Sequence, residues 1–243
     1  MVAASHDKIP TGSLGTVVYC SGLAWGSDER SLEAYRLHVC APLELLMSAN
    51  YDRLLYVSST RVYDGLSSTD EDAQLAAFPA DRKATYATSK IAGEAAVLAA
   101  SERNIVVRLS NVYGPNFRAR VFLSDILRQA IETGRIELQT ALASSKDYIS
   151  VEEVADVVLR VMGEGKHQIY NVAAGRNTTN AELTRAIAAT LPVEVRVASN
   201  APTSIVPKIN IQRVRDEFGF SPRDVLDEVP VLVRAFSAAI RGE

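Results

Sequence analysis

Three short apolar runs, each stopping on small polar residues and separated by stretches of helical period, constrain this chain more than any other feature. Thr16-Val17-Val18-Tyr19-Cys20 ends at Ser21-Gly22, and Leu54-Leu55-Tyr56-Val57 runs into Ser58-Ser59-Thr60. Asn104-Ile105-Val106-Val107-Arg108-Leu109 gives way to Ser110-Asn111. Continuous apolar runs of this length suit strands buried on both faces, as in a parallel sheet. From about Asp28 to Asn50, Leu32, Tyr35, Val39, Leu43 and Leu46 recur near helical period. Pro42 falls inside that stretch and is expected to kink or split the helix. Residues 64–84 read as a polar surface loop, and a second helix runs from Thr85 to about Ser101. The alternation predicts an α/β fold with a parallel sheet and right-handed crossovers. Ligands in such sheets sit beyond the carboxyl ends of the strands, where all three polar endings fall.

Tyr86 and Lys90 stand four apart on the second helix and therefore share a face. An ammonium held beneath a phenol favours the phenolate and makes Tyr86 usable as an acid or base. A free tyrosine titrates near ~10, so reaching ~7 takes roughly 4 kcal/mol. One lysine in water cannot supply that; a low-dielectric pocket or a second positive charge is required. The spacing alone is weak evidence, and a solvated helix carrying both residues is its bland alternative.

Beyond residue 115 a helix is expected from about Arg120 to Thr133, then irregular chain to Lys146. Ser150-Val151-Glu152-Glu153 and Thr179-Asn180-Ala181-Glu182 are capping boxes that open further helices. Gln168–Val172 reads as a strand, and Val193–Val197 alternates as a half-buried strand does. Helices near Ile211–Phe218 and Asp224–Ile240 complete the chain. Its 243 residues are enough for a real core. The net charge of -3 argues against a nucleic-acid surface. Cys20 and Cys40 lie in apolar segments without metal-like spacing, and His6, His38 and His167 are far apart, so neither a disulfide scaffold nor a metal site is expected. There is no membrane-length apolar run and no secretory signal at the start, which makes a cytoplasmic location the default expectation.

Several motifs in order resemble the extended short-chain dehydrogenase/reductase superfamily, the NAD-dependent nucleotide-sugar epimerases and dehydratases. Leu54–Gly65 is similar to that family's strand ending in Ser-Ser-x-x-Val-Tyr. Tyr86–Glu94 is similar to its Tyr-x-x-Ser-Lys-x-x-Gly-Glu helix, and Arg108–Pro115 to its Arg-x-x-Asn-x-Tyr-Gly-Pro turn. Lys146–Ala155, Ile169–Val172 and Glu217–Pro222 continue the likeness. The resemblance implies a Rossmann-like sheet with a small C-terminal α/β substrate domain. Residues 1–115, also receiving about 147–175, would form an incomplete Rossmann-like domain; 116–146 and 176–243 would form the substrate region. It further implies Tyr86 as general acid/base, Lys90 on the nicotinamide ribose, and Ser59 on the reacting sugar oxygen. The oxidised nicotinamide of NAD or NADP would supply the second positive charge. Ser21, Gly22 and Val112 would lie beside the cofactor, and Thr60, Asn111 and Lys146 on the substrate side. For Asn111 and Lys146 a structural role stands open beside the substrate role.

Two departures qualify the resemblance. The family's 4,6-dehydratases carry an Asp-Glu pair where this chain has Thr60 and Arg61, neither a suitable acid, so that elimination is disfavoured. The family also opens with a strand, a glycine-rich turn, a helix and two further strands before the segment matching Thr16–Cys20. Thr11-Gly12-Ser13-Leu14-Gly15 mimics part of the turn but leads into a strand, so it reads as a loop and the glycine-rich motif is absent. The sheet would then be N-terminally truncated relative to the family, and the 16–20 strand an apolar edge. The true start lying upstream, a partner chain completing the sheet, and a reshaped relative without cofactor each account for this.

The leading expectation is a nucleotide-sugar epimerase or 4-keto reductase. The alternatives are a non-catalytic subunit that binds a nucleotide sugar or a partner, and a cofactor-independent enzyme using the same tyrosine. A homodimer through the helices after the first two strands, or a partner chain covering the 16–20 edge, is expected.

Overall fold

A computed structural model describes residues 12–23, 31–78, 81 and 84–241. The expected loop over residues 1–11 and the expected helix start at 28–30 lie outside the described residues. The chain divides into two compact units. The first comprises residues 1–109, 156–172 and 210–220; the second comprises 110–155, 173–209 and 221–243.

The first unit is built on a parallel four-stranded sheet of β1 (Thr16–Tyr19), β2 (Arg53–Ser59), β3 (Ile105–Leu109) and β7 (Ile169–Val172), in the order β1-β2-β3-β7. Val17 pairs with Leu54, Tyr56 with Val106, and Val107 with Tyr170. Leu54, Tyr56, Val97 and Val106 form the centre of an apolar cluster under helices α2 (Ala41–Ser48) and α3 (Thr85–Ala100). The α/β class and the parallel sheet are as the alternation of apolar runs predicts.

Strand β1 corrects one expectation. Among the described residues it lies at the sheet edge, and Thr16, Val18 and Cys20 are exposed while Tyr19 is buried. A strand with one neighbour and one covered face cannot bury both sets of its side chains. Cys40 is likewise exposed, despite its apolar surroundings in sequence. Before β1, Leu14 and Asp52 exchange backbone hydrogen bonds with Asn50 and Gly15, so residues 13–15 run along the next segment instead of opening a helix.

The helix over 31–48 is neither broken nor simply kinked at Pro42. Helix α1 (Ser31–Tyr35) passes into a π-helical segment, Arg36–Cys40, which passes into α2. Ala41 N–H bonds to the Arg36 carbonyl, which leaves the Leu37 carbonyl outside the ladder. Pro42 has no N–H to offer the His38 carbonyl. Two tyrosines of the sheet replace the missing donors: Tyr19 Oη donates to Leu37 O (2.6 Å) and Tyr56 Oη to His38 O (3.0 Å). Their rings stack at 5.9 Å.

The 64–84 segment is also more than a surface loop, because Thr69 and Glu71 are buried. Asn171 N–H donates to Glu71 Oε1 and Asn210 N–H to Thr69 Oγ1, pinning the segment from β7 and from just before helix α7 (Gln212–Phe218).

The second unit holds β4 (Asn111–Tyr113), β6 (Ser145–Ser150) and β8 (Asn177–Thr179) in one small sheet, and β5 (Arg135–Leu138) paired with β9 (Glu194–Val197). Helices α4 (Phe122–Thr133), α6 (Asn180–Ala188) and α8 (Val225–Arg241) bury Leu127, Ile187, Val229 and Phe236 between them. Helix α5 (Val151–Glu164) contributes residues to both units. Both capping boxes form: Glu153 and Ser150 bond reciprocally, as do Glu182 and Thr179. Strand β4 falls in a stretch read above as turn and β5 in irregular chain, while β8 runs into the second capping box from a stretch given no reading above. Among the described residues, no helix is long and apolar enough to cross a membrane, and no group of His, Cys, Asp or Glu is arranged to hold a metal.

Candidate active site

Strand β2 ends at Ser59, and a short 3-10 turn, Thr60–Tyr63, follows. Ser59 Oγ accepts from Arg61 N–H (3.3 Å) and so caps that turn, which fixes its side chain at the carboxyl end of the sheet. Thr60 is half-buried at the first position of the turn. Helix α3 then brings Tyr86 near Ser59, whose hydroxyl favours the ionised phenol. Burial raises the Tyr86 phenol above its ordinary range and outweighs the two groups that lower it, the Ser59 hydroxyl and the positive charge of Arg61. Arg61, considered in the sequence as a missing acid, is therefore the cation that lowers the Tyr86 phenol, the part expected of Lys90.

Lys90 lies one turn further along α3 and is 4% exposed. Its Nζ donates to the Val57 carbonyl (2.8 Å) and stands 4.9 Å from the Tyr56 ring centroid. Burial pulls its pKa down from 10.5 to about 8, against the charge of Glu94. At neutral pH the ammonium persists, but with little in reserve.

Gly22 closes on this lysine. A methyl group placed on Gly22 would stand 3.5 Å from Lys90 Nζ and 3.1 Å from His38 Nε2, so the exit of β1 passes directly over both. Ser21 is half-buried and lies near the Tyr19 phenol.

Beneath the site runs a buried polar network. Arg108 Nη2 donates to Glu94 Oε2 (2.7 Å), with both side chains under 5% exposed, and Ser58 Oγ donates to Glu94 Oε1. Arg108 Nη1 reaches Tyr63 Oη (2.6 Å), which donates to Asn171 Oδ1 (2.9 Å). The network ties β2, β3, β7 and α3 together directly behind Ser59 and Lys90. Gly93 lets α3 approach, since a methyl there would meet the His38 carbonyl at 2.2 Å.

Ser21, Gly22, Ser59, Thr60, Tyr86 and Lys90 thus belong to the first unit, while Asn111, Val112 and Lys146 belong to the second. There Asn111 Nδ2 donates to the Asp147 carbonyl (2.8 Å), the structural use left open for it. Val112 pairs with Ile149, and Lys146 Nζ sits 4.1 Å over the Phe122 ring. Asp147 is buried and accepts from the N–H groups of Ala174 (2.8 Å) and Arg176 (3.1 Å).

Sequence reasoning passed over His38 except as a candidate metal ligand. It is fully buried against Tyr86, and its one signal was a histidine in an apolar helical stretch four residues before a proline.

Comparison with known proteins places these observations. Residues 13–173 match the model of the NAD dependent epimerase/dehydratase family. A dTDP-4-dehydrorhamnose reductase of Mycobacterium tuberculosis (strain ATCC 25618 / H37Rv) is 30% identical over 151 residues, covering 58% of this chain and 46% of the reductase. The chain thus spans about half the length of that relative. Among solved structures, RMD from Pseudomonas aeruginosa complexed with NADPH superposes with a TM-score of 0.78 at 19% identity, over 92% of this chain and 81% of that one. The UDP-N-acetylglucosamine 4-epimerase from Methanobrevibacter ruminantium M1, in complex with UDP-N-acetylmuramic acid, gives 0.79 at 19% identity over 93% and 77%. At such identities these structures establish the Rossmann-like fold.

Proposed function

The chain belongs to the NAD dependent epimerase/dehydratase family, and from that premise we propose that it is a nucleotide-sugar epimerase or 4-keto reductase. The observation that carries the reading is the buried, charged Lys90 one helical turn from Tyr86 on α3, with the Ser59 hydroxyl near enough to lower the Tyr86 phenol. Tyr86 would take or give the proton of a sugar hydroxyl while Ser59 hydrogen-bonds the same oxygen. Lys90, with Tyr86, would hold the ribose of NAD or NADP, and Ser21, Gly22 and Val112 are assigned to the cofactor side. Bound there, the nicotinamide supplies a hydride acceptor or donor. Glu94 opposes the burial that would strip Lys90 of its proton, and so keeps the charge available at neutral pH. Thr60 and Arg61 provide no carboxyl for eliminating water, which argues against a 4,6-dehydratase. Thr60, Asn111 and Lys146 are assigned to the substrate side.

The residues fit the nicotinamide end of the cofactor better than its pyrophosphate. Residues 12–15 run into strand β1 and not into a helix whose N-terminus could receive phosphate. That observation favours a second reading, a subunit without catalysis or without cofactor that binds a nucleotide sugar or completes its sheet with a partner chain. Leu32 and Met47, 84% and 86% exposed on α1 and α2, support a homodimer through those helices. Calorimetric titration with NAD(H) and NADP(H) separates the readings. The enzyme reading expects binding, together with turnover lost in Tyr86→Phe. No binding and no turnover, with nucleotide-sugar affinity unchanged by Tyr86→Phe, would sink it in favour of the subunit. Turnover without nicotinamide, lost in Tyr86→Phe, would identify the cofactor-independent enzyme.

A further inference from the structure

We propose that His38 is a positioning residue for the acid–base tyrosine, a neutral imidazole that links the exit of strand β1 to the first turn of α3. This rests on the reading of Tyr86 given above. His38 is the one fully buried histidine among the described residues, and it lies within the π-helical segment created ahead of Pro42. Such insertions are concentrated at functional sites. Its carbonyl is held by Tyr56 Oη, so the residue is fixed from its backbone outward.

The hydrogen bonds determine the tautomer. Ser89 Oγ spends its hydrogen on the Tyr86 carbonyl (2.9 Å), so towards the imidazole it can only accept. Nδ1, 2.9 Å from that oxygen, must then carry the proton. Nε2 accepts from the Leu23 N–H (3.3 Å) and must be bare. One imidazole thus spans from the backbone just after Gly22 to the hydroxyl that grips the backbone of Tyr86. The ring also meets the Tyr86 ring edge-on, with centroids 5.3 Å apart at 89°.

The surroundings enforce neutrality. Burial and the neighbouring Lys90 ammonium push the His38 pKa down to about 3. An imidazolium would face that ammonium and would oppose its Nε2–H to the Leu23 N–H. Through these contacts His38 keeps the phenol against Ser59 and Gly22 over Lys90, without adding a charge that competes with the lysine.

The wild-type protein offers the first test. Long-range 1H–15N spectra of the imidazole should show Nδ1 protonated and Nε2 bare, unchanged down to pH 5; an Nε2–H tautomer or a doubly protonated ring at pH 6 overturns the proposal. Two variants provide the second. His38→Asn retains a donor towards Ser89 and loses the acceptor for Leu23, whereas His38→Leu loses both. We expect Leu23 amide exchange to rise at least tenfold in both variants. The Tyr86 phenol, followed through 13C-labelled tyrosine, should keep its midpoint in His38→Asn and titrate higher in His38→Leu as it leaves the Ser59 hydroxyl. An unmoved phenol in both variants, or Leu23 exchange like the wild type, would show a histidine that merely fills space. These readouts need no turnover. Failure of the enzyme reading would appear in nicotinamide binding and Tyr86→Phe, and failure of the His38 proposal in the spectra.

Discussion

Strands β1 and β2 lie side by side in register, and both deliver residues to the same site, yet they are held in opposite ways. β2 buries Leu54, Leu55 and Tyr56 completely, is paired on both sides, and has the Arg108–Glu94 network behind its end. β1 is paired on one side among the described residues and leaves Val18 40% exposed. The two runs have similar composition, so position in the sheet and not apolar content decides burial. The proton-handling groups Ser59 and Tyr86 hang from the rigid strand and its helix. Gly22, which lies over Lys90, hangs from the looser one, with His38 as its tie.

The largest blow to the rigid side should come from Glu94→Ala. It would leave Arg108 buried without its carboxylate, and losing one member of such a pair costs about 3–5 kcal/mol. Urea unfolding should show that loss, with a smaller one in Glu94→Ala/Arg108→Met; equal losses would mean that the network is not what holds β2 and α3. The two strands themselves are compared by Leu55→Ala, expected to cost about 2–5 kcal/mol, and Val18→Ala, expected to stay within about 0.5 kcal/mol. Similar values for the two would show β1 to be as covered as β2.

Lys90 bridges both strands and gives the comparison a pH axis. Its folded pKa of about 8 lies below the ordinary 10.5. Between those values the unfolded chain binds a proton that the folded chain has released, so this group makes stability rise with pH across that window. Below pH 8 both states are protonated and the cost of the buried charge is fully present. The rise should be on the order of 3 kcal/mol, and denaturation midpoints at pH 8 and 10 should lose it in Lys90→Met. Persistence of the full rise in that variant would assign it to another group.

Strands β2, β3 and β7 and both capping boxes were legible because their signals are local: an apolar run, or a Ser/Thr three residues before a Glu. The Tyr86–Lys90 face was legible for the same reason. What escaped depends on distant partners. β4, β5 and β8 are three or four residues long and exist through pairing with chain far away. The burial of Glu71 depends on Asn171, a hundred residues on. The π-helical segment could not be read from Pro42 alone, because its freed carbonyls are satisfied by phenols from two strands. His38 was hidden with it, and Arg61 acts on Tyr86 only once the 3-10 turn has folded.

Those two phenols allow the finest comparison of the strands. Tyr56→Phe removes the donor to the His38 carbonyl at a fully buried position, and a buried acceptor left without a partner costs about 1–3 kcal/mol. Tyr19→Phe removes the equivalent donor to Leu37, but from the strand at the sheet edge among the described residues, where Tyr19 is 6% exposed, so its loss should fall at the low end of that range. The ring stacking is retained in both variants, which leaves the hydrogen bond as the difference. Thermal unfolding at one pH should rank Tyr56→Phe below Tyr19→Phe, and Leu23 amide exchange should rise more in the former because its carbonyl belongs to His38. The reverse order would mean that the π-helical segment is carried by the edge strand, and that β1 is the firmer support of the two.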